Sequence, residues 1–162
     1  MAVKEKKPDK TNVMRLLEQA GIPYTPHTYD PEGPTDGVSV ASILGQDPEC
    51  VFKTLVTRGA SGAYYVFDIP VAENLDLKKA AKAVGEKSIA MLPQKELLGL
   101  TGYVHGGCSP VGMKKQFPTV FHETAEIVDT IMVSAGKIGF QVECEPAALL
   151  ALLDAATADV TV

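Results

Sequence analysis

A chain of 162 residues, 46% hydrophobic and 22% charged, has the size of a single domain and is too apolar to be a disordered protein. Its 15 basic and 20 acidic residues leave a net charge of −5, which excludes a protein that wraps DNA or long RNA but not one that grips the end of a small RNA. No run approaches the roughly 20 apolar residues that span a bilayer, and the charged N-terminus lacks a signal-peptide core, so a cytoplasmic protein without membrane contact is expected.

Residues 1–10 read as a flexible tail and 11–162 as one domain. The first helix is expected over 11–20, capped by Asp9 or Thr11, with Val13, Leu16, Leu17 and Ala20 on one face and Gly21 as the left-handed stop. Residues 22–29 are extended, and Pro23 and Pro26 mark them as an edge strand. After a loop over 30–37, a short helix covers 39–44, and Asp47-Pro48 starts one further helical turn. Residues 51–57 and 64–69 form a hairpin around the glycines of 58–63. An amphipathic helix over 74–84 turns Leu77, Ala80, Ala81 and Val84 inward and its lysines outward. A strand at 88–92 and a short helix at 93–98 lead to a glycine-rich loop over 101–112. Strands follow at 119–122, 130–134 and 138–143, and Pro146 opens a last helix through 153. Helices between the early strands and short turns between the late ones predict an α/β fold with a mixed, barrel-like sheet surrounded by helices. No phosphate loop is present, since Gly136-Lys137 runs into Ile138 where Ser or Thr is required.

Chemistry concentrates in two places. Lys53 lies in a strand whose two faces are both largely apolar, so its ammonium either snorkels to solvent or meets an anion. The loop Gly102 to Gly112 pairs Gly106 with Gly107, which allows close backbone approach and aims N–H groups into one concavity, and Pro110 stiffens its exit. Such a loop serves either as a tight connection or as a cradle for a carbonyl oxygen. Cys50, Cys108 and Cys144 form no C-x-x-C. The histidines His27, His105 and His122 lack ligand spacing, so no metal and no cofactor are expected. His105 and Cys108 suggest a thiol–imidazole dyad, but nothing evident orients the imidazole, and Cys108 reads better as a small core residue. An oxyanion-type loop and a lone lysine, without a nucleophile, suit an already activated ester.

Four segments occur in a telling order: Phe52-Lys53-Thr54-Leu55, then Leu75 to Lys82, then Thr101-Gly102-Tyr103 with Gly106 to Gly112, then Ser134-Ala135-Gly136-Lys137. In these the chain, from about residue 12 to 160, resembles the YbaK family of Cys-tRNA(Pro) deacylases, relatives of the editing domain of prolyl-tRNA synthetase. The resemblance implies release of cysteine from mischarged tRNA(Pro), with the substrate's own thiol attacking its ester, and with prolyl-tRNA synthetase as a partner. It assigns Lys53 as the essential lysine, Gly106, Gly107 and Pro110 to the carbonyl-binding loop, and Tyr29 to the pocket. Ser109, Gly136 and Lys137 fall to substrate binding. Ile138 and Gln141 stand where many members carry arginine and aspartate, which leaves another aminoacyl group, such as alanine, and a hydrolytic route as the alternative. A tRNA-end or synthetase-binding module without catalysis is the rival from another class.

Overall fold

The structure, a computed structural model, describes residues 10–162, so Asp9 and all but the last residue of the 1–10 tail lie outside the described residues. Helix α1 (Asn12–Gln19) is capped by Thr11, whose hydroxyl oxygen accepts from the Met14 amide at 3.3 Å. It buries Val13, Met14 and Leu17, while Ala20 is its exposed C-cap. Strand β1 (Tyr24–Thr28) is an edge strand, as its prolines require, and pairs antiparallel with β7 (Phe140–Cys144), which pairs antiparallel with β6 (Ile131–Ser134).

A second sheet runs in the order β4-β2-β3-β5-β8. Its centre is the hairpin of β2 (Phe52–Gly59) and β3 (Tyr64–Pro70), with β4 (Ile89–Met91) antiparallel on β2. Strands β5 (Thr119–His122) and β8 (Ala156–Ala158) continue it in parallel. The expected single barrel-like sheet is therefore corrected to two sheets, of three and five strands, joined by the bridge Val51–Met132. The outer strands β4 and β8 have only three residues each, too few to carry the ladder round to the other sheet.

Helices fill the faces. Helix α2 (Gly37–Ile43), capped by Asp36, packs Ala41 on Val51, Val71 and Met132 at the junction of the sheets. Helix α3 (Leu77–Val84) starts only after Asp76, whose carboxylate accepts from the amides of Lys78 and Lys79 at 3.0 Å each. That late start leaves Leu77 41% exposed, not inward, and Leu75 takes its place against the core. Helix α4 (Gln94–Thr101) introduces the glycine loop, and α5 (Pro146–Leu153) packs with α1 over the three-stranded sheet. Strand β8 was not expected: the Ala-Thr-Ala sequence has no strand pattern, and its pairing with β5 supplies the order. Lys79 holds the segment that follows, donating to Asp159 Oδ2 at 2.9 Å and to the Thr161 carbonyl at 2.8 Å. His122 adds a second tie, its Nδ1 accepting from the Val160 amide at 3.2 Å. Among the described residues no helix is long and apolar enough to cross a membrane.

Candidate active site

One cavity of about 470 Å³ opens between the two sheets, along β2 and beside the glycine loop. Lys53, Tyr29 and Gly106, three of the residues expected in the site, border it together. Thr54, Cys108, Ser134 and Gln141 border it as well, and Val38, Met91 and Leu97 form an apolar rim.

Strand alternation sets Lys53 opposite Ile69 and Thr54 opposite Asp68, on different faces of β2, yet both reach the cavity. The Lys53 ammonium has no ion-pair partner among the described residues. Partial burial lowers its pKa from the ordinary lysine value, opposed by the charge of Glu73. It stands ready for an anionic or polar ligand atom. Tyr29 follows β1 and is held by its own backbone, its amide donating to the Gly139 carbonyl at 2.9 Å.

The loop is a turn wedged against its neighbours. Gly106 has φ +88°, a left-handed conformation that L side chains rarely adopt, and the Gly107 amide donates to the Val104 carbonyl at 3.0 Å. That bond uses the N–H expected to hold a ligand. The amides of Gly106, Cys108 and Ser109, in contrast, have no acceptor among the described residues. Gly107 is needed for approach: a Cβ there would sit 3.0 Å from the Ile138 nitrogen. Behind the loop, the Tyr103 hydroxyl donates to the Val111 carbonyl at 2.6 Å, and its ring leaves a Cβ at Gly136 only 2.9 Å away.

The remaining sequence assignments lie behind the cavity or beside it. Gly107, Ser109, Pro110, Gly136 and Lys137 are not among its lining. Ser109 is fully buried and its oxygen accepts from the Val111 amide at 3.2 Å, which shapes the loop. Pro110 is buried, Gly136 packs on Tyr103, and exposed Lys137 lies over the Phe140 ring at 5.2 Å. Ile138 rests against Gly106, while Gln141 is 7% exposed on the wall, with Oε1 buried and unpartnered among the described residues. Burial, with a further push from Asp68, raises the Cys108 thiol to about 12, which makes it a poor nucleophile at neutral pH.

Sequence reasoning missed Asp68, a fully buried acid inside an apolar strand, bonded to Thr54. Its signal was visible: alternation places it with Val66 on one face of 64–69, where an acid has no solvent to reach.

A two-sheet α/β scaffold thus carries Lys53, without an ion-pair partner among the described residues, and a glycine loop on one cavity, and similarity to known proteins places it in the aminoacyl-tRNA editing class. The model of the aminoacyl-tRNA editing domain matches residues 33–152, and the chain belongs to that family, the YbaK group its sequence resembles. It is 46% identical over 159 residues to an Enterococcus faecalis protein named as a candidate Cys-tRNA(Pro)/Cys-tRNA(Cys) deacylase, EbsC, covering 98% of this chain and 97% of that one. Among solved structures it resembles a candidate trans-editing enzyme for prolyl tRNA synthetase at 25% identity, with a TM-score of 0.79 and coverage of 95% and 99%. The hypothetical protein APE2540, 21% identical, shares the fold with a TM-score of 0.84 over 93% and 99% of the two chains.

Proposed function

We propose that the chain is a trans-editing aminoacyl-tRNA deacylase that releases cysteine from Cys-tRNA(Pro), and from Cys-tRNA(Cys) as the name of its relative suggests. The observation that carries this reading is the meeting of Lys53 and Gly106 on one cavity in a chain of the editing family. The ester carbonyl lies against the loop, with the free amides of Gly106 and Cys108 as donors and the Lys53 ammonium balancing the charge that develops on oxygen. Tyr29 shapes the side-chain end. Attack comes from the substrate: its sulfur loses a proton and bonds to the carbonyl carbon, the carbon–oxygen bond to the ribose breaks, and the released hydroxyl takes a proton. The products are a cyclic thiolactone and free tRNA. The cavity suits an aminoacyl-adenosine end, and with a net charge of −5 the grip on the rest of the tRNA is weak, which favours delivery by prolyl-tRNA synthetase.

Deacylation of Cys-tRNA(Pro) beside Ala-tRNA(Pro) tests the reading. Lys53→Ala is expected to lower kcat/KM by roughly 10²–10³, and a substrate with its thiol blocked should survive. A Lys53→Ala protein cleaving at the wild-type rate would overturn the site, and loss of a thiol-blocked ester would point to water as the attacking group.

A further inference from the structure

Asp68 lies in the middle of β3 with no exposed surface. Antiparallel register sets it opposite Thr54, so both side chains leave the same face of the hairpin, and the Thr54 hydroxyl donates to Asp68 Oδ1 at 2.6 Å. Thr54 and Cys108 border the cavity, and Asp68 lies behind them, near enough for its charge to act on the Cys108 thiol. Its other oxygen, Oδ2, is buried without a partner among the described residues. Burial raises the carboxyl pKa to about 8, opposed by the Thr54 bond. At neutral pH the group is mostly the uncharged acid. With its proton on Oδ2, Oδ1 remains an acceptor.

A threonine hydroxyl has one hydrogen and two acceptor sites. Once the hydrogen goes to Asp68, Thr54 offers the cavity only oxygen lone pairs. Gln141 borders the same cavity, with its Oε1 buried and without a partner among the described residues. Lys53, and Gly106 and Cys108 with amides that lack an acceptor among the described residues, bring donors to the border of the cavity, which suits an ester carbonyl. The acceptors need a ligand group rich in hydrogens.

We propose that Asp68 is a positioning residue: by holding the Thr54 hydrogen it makes this wall an acceptor for the protonated α-amino group of the aminoacyl ester, and so selects free aminoacyl-tRNA over its N-acylated forms. This rests on the deacylase reading above. An ammonium brings three donors and a charge to that wall. An N-acyl amide brings one hydrogen and no charge.

The test compares Cys-tRNA(Pro) with N-acetyl-Cys-tRNA(Pro), which keeps the thiol and lacks the ammonium. The wild-type protein is expected to favour the free-amino ester by at least about tenfold in kcat/KM, because the N-acetyl ester loses the charge and two of the three donors that the acceptor wall would bond. Thr54→Val, nearly the same shape, and Asp68→Val should bring the two substrates within about threefold, chiefly by raising KM for the free-amino ester. Asp68→Asn, whose amide oxygen can still accept from Thr54, should restore the preference. Equal cleavage of both esters by the wild-type protein would overturn the inference and leave the deacylase intact. A preference undiminished in Thr54→Val, which does not depend on whether Asp68→Val folds, would also overturn it, since it would show exclusion of the acetyl group by bulk alone. A wild-type protein inactive on both esters would sink the deacylase reading, and this inference with it.

Discussion

The two faces of β3 follow opposite rules. On one, Phe67 and Ile69 pack without exposure against Ala80 and Ala81 of α3, an apolar contact in which each large side chain contributes about 1.5–3 kcal/mol of burial. On the other, Val66 packs with Cys108, Met113 and Phe117, and its neighbour on that face is the buried acid Asp68. The first face is apolar at these positions, and it also carries Lys53, the register partner of Ile69. The second accepts a buried polar group beside the cavity, at a cost the first makes tolerable, as is common where a site is set into a core.

Asp68→Asn should give the largest break in this contrast. The folded protein keeps the Asp68 proton up to about pH 8, whereas the unfolded chain gives it up near 3.8. Folding therefore takes up a proton between these values, so the stability tied to this group is fully present below about pH 4 and is lost as pH rises towards 8. Asparagine does not titrate. In urea unfolding, the variant should gain on the wild type from pH 4 to pH 7 by on the order of 4 kcal/mol. A gap that does not change with pH would mean that Asp68 is charged in the folded protein. Next, Ala80→Leu on the opposite face should cost about 1–3 kcal/mol by overpacking, with kcat/KM for Cys-tRNA(Pro) unchanged in the folded fraction. A large loss of activity at preserved stability would show that the two faces are not separable. The smallest effect is expected for Cys108→Ala, which should slow deacylation by less than about tenfold. A dead variant would restore the cysteine as a nucleophile.

Much of this contrast is legible in the residues. Period-two alternation marks 51–57 and 64–69 as paired strands, and the prolines of 22–29 identify an edge. Alternation says which side chains share a face, but it is silent on which strands become neighbours, so it does not separate the two sheets from one barrel-like sheet. Residues 156–158 become a strand only because β5 offers an open edge beside them. Helical spacing alone turns Leu77 inward, whereas the Asp76 cap shifts the first turn and leaves it exposed. Residue type and resemblance single out Lys53, Tyr29 and Gly106, and all three border the cavity. The diversion of the Gly107 amide to Val104, and the inward turn of Ser109, depend on loop geometry that spacing does not encode.

Tyr103 braces the glycine turn, through its bond to Val111 and its contact with Gly136. The turn is thus keyed to residues outside the lining of the cavity, such as Val111 and Gly136, while Thr54 and Gln141 border the cavity from separate strands. On the proposed deacylase reading, an evolving lineage, or an engineer, can therefore exchange Thr54 or Gln141 to favour another amino acid without rebuilding the braced turn.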